Sequence, residues 1–360
     1  MTTAATPSVV AALRAPRVLE GFNIPQWEDL VGQARRTNLV SRLAYALRDT
    51  GMLSTVPAAP RSHLEAALVV AGAQAEAVRR EVDLVRSALT PIDTDIVLLK
   101  GAAYLMAGLP ISRGRVFTDI DILLPFDRLA DAEAALHLHG WSTTHHDAYD
   151  QRYYRQWMHE LPPLRHNVRM SVLDVHHAIL PRTARLAPSS AKLLEAALPV
   201  AGEPRLRVLC PTDMVLHCAT HLLHNEELSQ GLRDLADLDS LLCRFGNSPG
   251  FWDALPRRAA ELDLCRPLAY GVRYAVRYFG SSVPAAVRDA IGAGGASRAT
   301  VRLMDALYDR ALQPVGDHGA GPATSMARSA LYLRGHWLRM PLPLLLFHLC
   351  IKATRRTPEA

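Results

Sequence analysis

Two aspartates one residue apart, Asp119 and Asp121, interrupt a run that is otherwise largely apolar, residues 116–124. Read as a strand, that run puts both carboxylates on one face, because side chains two apart point the same way. Like charges so placed repel unless a cation lies between them. For an oxygen-only donor set the fitting cation is magnesium. A third carboxylate, Asp174, falls in an alternating run over residues 167–179. There Val168, Met170, Val172, Asp174 and His176 share one face, and Leu173 and Val175 the other. Both faces are apolar, as in a central strand covered on both sides. A carboxylate in that setting needs a partner or a metal. His176 shares its face and can bond a carboxylate or a phosphate, or serve as a structural histidine.

The segment before the first pair has the pieces to position it. Ile96–Leu99 is a short buried strand, Lys100-Gly101 a turn, and residues 102–107 a small-residue helix ended by Gly108 and Pro110. Arg113 and Arg115 follow in a loop. Lysine is scarce: Lys100, Lys192 and Lys352 are the whole set, and the other thirty-seven of forty basic residues are arginine. An ammonium at Lys100 serves equally as a point charge for a phosphate or as the partner of a nearby aspartate.

Helical patterns flank this segment. Residues 1–20 are rich in Ala, Pro and Thr and read as loosely held. Residues 27–50 predict one or two amphipathic helices ended by Gly51, and 61–89 a longer one. A helix is expected from Pro125 to about His139 with Asp127 as its cap, then a strand at 141–144. Residues 145–164 mix His, Tyr, Arg and Trp without clean periodicity and read as a substrate-side insertion. From Pro188 the pattern is helical to the end. Residues 189–198, Pro211–His224, Gly231–Phe245, 252–265 and 267–279 are the helices, with a Gly-rich break at 292–296. His217, His221 and His224 share one face of their helix. Such spacing can bind zinc, but no Glu follows the first histidine and no third ligand is evident. Lining a groove, or pairing with Asp234 and Asp237 of the next helix, fits better.

The stretches LLKGAA (98–103), RVFTDIDILL (115–124), LDVHH (173–177) and CPTDMVLHCATH (210–221) together resemble the uncharacterised nucleotidyltransferase family of the DNA polymerase beta-like superfamily, over residues 27–242. The resemblance implies an α+β fold, a small mixed-sheet core at 91–185 between a helical region at 1–90 and a helical domain at 186–360. It implies that Asp119, Asp121 and Asp174 hold two magnesium ions. Lys100, the Gly101 amide, and Arg113 or Arg115 would contact a triphosphate, and His176, His217 and His221 would support the site. Lys100-Gly101-Ala102 stands where the wider superfamily has Gly-Gly or Gly-Ser. The activity so implied is transfer of a nucleoside monophosphate from an NTP, ATP foremost, to a small-molecule or protein acceptor, with release of pyrophosphate. The alternative is a nucleotide-binding or protein-interaction module that keeps the fold without the activity.

At 360 residues and 49% apolar, the chain can hold two modest domains or one elaborated one. Its net charge of +5 is spread along the sequence, which suits an anionic substrate but argues against a dedicated nucleic-acid binder. Five cysteines, none in C-x-x-C spacing, indicate neither a zinc knuckle nor a disulfide framework. No signal peptide is expected, and a cytoplasmic setting fits. The apolar run at 340–351 is short of a membrane span. Docking onto the helical domain, or lying on a membrane surface, are the readings it allows.

Overall fold

The computed structural model describes residues 8–143, 147–224, 228–292, 295–315 and 319–346. Its centre is a seven-stranded mixed sheet made of β1 (Ile96–Leu99), β2 (Ile120–Leu123), β3 (Trp141–Thr143), β4 (Leu164–His166), β5 (Val172–His176), β6 (Leu198–Pro199) and β7 (Leu206–Val208), in the order β3-β4-β5-β2-β1-β7-β6. β1 and β2 are buried along their whole length, as continuous Ile/Val/Leu strands require when both sheet faces are covered. β2 is antiparallel to β1 and parallel to β5, and this register sets Asp121 directly beside Asp174.

Helices enclose the sheet. Before it come α1 (Ser8–Arg14), α2 (Ile24–Arg36), α3 (Val40–Asp49) and the long α4 (Ala58–Ala88). Between strands run α5 (Lys100–Met106), α6 (Leu129–Leu138), α7 (Ala148–Trp157) and α8 (Ser190–Glu195). After it come α9 (Pro211–His224), α10 (Gly231–Phe245), α11 (Phe251–Glu261), α12 (Cys265–Phe279), α13 (Ala285–Ile291), α14 (Arg298–Ala311) and α15 (Pro322–Arg339). Sequence signals explain several ends. Asn23 and Gln26 form a reciprocal capping box on α2, and Gly51 takes a left-handed conformation just after α3.

Five expectations change. The aspartate-bearing strand begins only at Ile120, so Asp119 lies just outside it. The run at 167–179 is not one strand. The His166 ring accepts the backbone N–H groups of Val168 and Arg169, both at 3.1 Å, and Met170 adopts φ +62°, so the chain turns back and pairs β4 with β5. Val168 and Met170 are therefore exposed. The stretch after Pro188 is not wholly helical, because β6 and β7 return to the sheet and β7 lies parallel to β1. The sheet thus draws on residues 96–208, past the boundary expected at 185. Finally, part of the N-terminal stretch is held firmly: Val9, Val10 and Ala12 on α1 are fully buried. The helix expected from Pro125 opens as a short 3-10 turn, and Asp127 makes no cap bond. Residues 144, 293–294 and 347–351, belonging to the expected strand end, Gly-rich break and apolar tail, lie outside the described residues, as does Cys350.

One buried ion cluster ties the helices to the sheet. Asp237 on α10 receives Arg42 Nη2 from α3 at 2.6 Å and Arg115 Nε from the loop before β2 at 2.9 Å. Gly114 beside it has φ +72°, and a Cβ there would sit 2.8 Å from the Arg42 backbone nitrogen, so the loop packs against α3 without room for a side chain. Asp237→Ala strands two guanidinium groups and is expected to cost about 3–5 kcal/mol. Urea unfolding of the variant beside wild type measures this.

Candidate active site

Asp121 anchors the site. It is 2% exposed, and two partners converge on its Oδ1: Lys100 Nζ at 2.7 Å and His176 Nε2 at 3.0 Å. Burial opposes its charge, but Lys100 and His176 override that and hold the carboxyl well below the usual range. Beside it on β5, Asp174 has an Oδ1 sealed from solvent with no hydrogen-bond partner. Burial first, then neighbouring Asp121 and Glu160, push the Asp174 carboxyl up to about 8. Asp119 stands at the entrance rather than in the cluster. It is half-buried, receives Thr118 Oγ1 at 2.9 Å, and acts electrostatically on Lys100 and Asp174.

The first residue of α5 delivers the ammonium. Lys100 has φ +46°, a left-handed backbone uncommon for a residue with a Cβ. Of the two roles open to Lys100, the structure displays the aspartate pairing. At Gly101 a Cβ would fall 2.1 Å from Arg115 Nη1, so the residue lies tight against that guanidinium. Arg115 itself is buried against Asp237, with Nε 2.9 Å from Oδ2. Arg113 is half exposed, reaches Asp49 at 3.0 Å and stacks over Tyr45.

Helix α9 closes the other side with histidines. His217 is buried, and that burial, with Lys100 close by, holds its imidazole well below the usual range. His221 Nδ1 lies 3.5 Å from Asp234 Oδ2, the pairing expected of it, whereas Asp237 is engaged by arginines. His224 contacts the Thr220 carbonyl at 3.2 Å. Among the described residues these histidines form no three-donor cation group.

Glu160 is the site residue the sequence did not reveal. It pairs across a β-bridge with His176, and its Oε2 lies 3.2 Å from His176 Nδ1. Its segment lacks periodicity, and only the strand register brings it to the site. A groove of about 540 Å³ runs between α4 and the β2–β5 edge, lined by Gln74, Ala77, Val78, Phe117, Asp119 and Val172.

The donors could hold a metal ion at one position. Asp121, Asp174 and His176 present ligand atoms within 4.8 Å of one another, and the orphaned Asp174 oxygen is the kind of buried acceptor a cation satisfies. Asp119 is not part of that group.

Carboxylates abreast on neighbouring strands of a helix-covered mixed sheet, facing a fixed ammonium, are the equipment of proteins that transfer phosphorylated groups. The chain belongs to the uncharacterised nucleotidyltransferase family, whose model matches residues 24–280. The match runs from α2 through α12, so α13, α14 and α15 lie beyond it. No curated protein and no solved structure gives a significant match. Among the described residues no helix is long and apolar enough to cross a membrane.

The raised Asp174 carboxyl has a sign that can be measured. Its folded state keeps a proton that the unfolded chain releases, so in metal-free protein its contribution to stability falls as pH rises from about 4 to about 8. Asp174→Asn removes this loss. The variant is expected to gain on the order of 2 kcal/mol over wild type at about pH 8 and progressively less toward about pH 5. Thermal melts in chelator across that range give the difference.

Proposed function

We propose that this protein moves a nucleoside monophosphate from an NTP, ATP foremost, to a hydroxyl of a small-molecule or protein acceptor, releasing pyrophosphate. The observation that carries the reading is the orphaned Asp174 oxygen beside Asp121 on the adjacent strand. Magnesium held by Asp121 and Asp174 would supply charge neutralisation at the transferring phosphate. In the reaction the acceptor oxygen bonds to the α-phosphorus, the bond to the pyrophosphate oxygen breaks, and the acceptor proton leaves. Asp174, beside Asp121 on the adjacent strand, is the group we assign to take that proton in its ionised form. Lys100 adds a fixed positive charge within reach of all three aspartates. Asp119, at the mouth of the groove, steers the acceptor or binds a second ion together with the triphosphate. The placement of this site within the DNA polymerase beta-like superfamily is part of the same proposal.

The groove beside Asp119 is the place for the acceptor. Its size suits a small molecule or an extended side chain, and the dispersed basic residues give no track for a nucleic acid. A second reading has its own support. Lys100 already engages Asp121 and Arg115 covers Gly101, so a module that binds nucleotide without turning it over fits the same geometry.

Incubation with each labelled NTP and magnesium, with detection of pyrophosphate and of labelled acceptor, separates the two. Transfer that falls more than about 100-fold in Asp121→Asn and in Asp174→Asn is the expected result. Nucleotide binding with no pyrophosphate release from wild type favours the inactive module instead. Once an acceptor is in hand, Ala77→Trp, which fills the groove from an exposed helix position, should raise the acceptor KM at least about 10-fold and leave NTP affinity unchanged.

A further inference from the structure

We propose that His159, Glu160 and His176 form a second cation site, built for a first-row transition metal of the zinc class, on the flank of the aspartate pair. Their donor atoms lie within 4.8 Å of one another. The His159 and His176 rings are 5.2 Å apart and tilted by 34°. His159 Nδ1 and His176 Nδ1 are both sealed from solvent, and neither makes a hydrogen bond. Buried polar atoms are almost always bonded, and here two ring nitrogens are not.

The surroundings sharpen the case. His176 is 4% exposed, and its Nε2 is directed at Asp121. With the proton on Nε2, Nδ1 offers a bare lone pair, and 3.2 Å away stands the Glu160 carboxylate. Two electron-rich groups at that separation repel unless a proton or a metal ion joins them. The backbone holds them there: His177 N–H donates to the His159 carbonyl at 2.8 Å, and Leu161 N–H to the Val175 carbonyl at 2.9 Å. Two imidazoles and one carboxylate, with water as a fourth ligand, are a zinc-type donor set, and imidazole nitrogen is a poor match for magnesium. The site therefore differs in chemistry from the aspartate pair while sharing His176 with it.

That shared ring gives the site a consequence. A metal on Nδ1 fixes the Nε2–H tautomer and aims it at Asp121, the familiar carboxylate–histidine–metal relay. It also fastens the segment that follows α7 to the end of β5. The cation would thus orient Asp121 from outside the reaction centre. This inference does not depend on nucleotidyl transfer.

The experiment is calorimetric titration of metal-free full-length protein with zinc chloride. One zinc per chain is expected, weakened about 100-fold in His159→Ala and in Glu160→Gln and unchanged in Asp174→Asn. Absence of zinc binding to wild type overturns the proposal and leaves His176 as an imidazolium clamp between Asp121 and Glu160. Binding that survives both flank variants, or that disappears in Asp174→Asn, overturns it as well, the latter by placing the ion on the aspartates. Should the flank variants fail to fold, electron spin-echo spectroscopy of wild type with one equivalent of copper(II) decides. Two coordinated imidazoles are expected, and one or none rejects the site.

Discussion

A single buried negative charge constrains the centre of this molecule. Asp121 sits on an interior strand where water cannot reach it, and a carboxylate there is tenable only with compensating charge. Lys100 provides it, and His176 adds a hydrogen bond, from two different strand ends. Much of the local backbone follows from that requirement. The chain leaves β1 through a left-handed Lys100 so that the ammonium can turn back over the sheet, a conformation costing about 1–2 kcal/mol. Strain of this kind persists where the surrounding structure over-determines it. Here the gain is one cation fixed above three aspartates.

The same logic repeats one layer out. Asp237 is a second buried carboxylate, and it gathers Arg42 and Arg115 from elements far apart in sequence. Buried ion pairs of this sort contribute little net stability against an apolar alternative, but they accept very few geometries. The two clusters meet at Gly101, whose missing side chain leaves space for the Arg115 guanidinium. Helix α10 thereby holds Arg115 in the loop that leads into β2. The site is held by electrostatic struts anchored in the helical shell, all of them within the residues the family model matches.

What could be read from sequence divides along physical lines. Long amphipathic helices were legible because their periodicity repeats over many turns: α9 and α10 fall at Pro211–His224 and Gly231–Phe245, as the pattern indicated. The pairing of Asp121 with Asp174 was legible as chemistry, since two apolar runs each carried an unexplained carboxylate. The turn at Met170 was not, because its cause is a His166 ring bonding backbone two and three residues on. β6 and β7 are too short to show alternation. Glu160 and Asp237 were invisible as partners for His176 and Arg115, because strand register and helix packing, not spacing along the chain, bring them together. Asp119 was placed on the strand by its spacing, yet pairing with β5 starts only at Ile120.

That difference between the two aspartates bears on the departure at Lys100-Gly101-Ala102. A lysine ammonium bound to the proposed metal ligand Asp121 would suggest a site closed to metal. The contacts argue otherwise, because Lys100 and His176 both fall on Oδ1 of Asp121. Asp121 and Asp174 would hold the cation, and neither contact falls on the second oxygen of Asp121 or on the orphaned Asp174 oxygen. Nor would an arginine serve in place of the lysine: its planar fork spreads charge over several donors, whereas a compact ammonium concentrates it at one oxygen and leaves the other open. In a chain that uses arginine at nearly every basic position, that distinction is a physical reason for a lysine at this one.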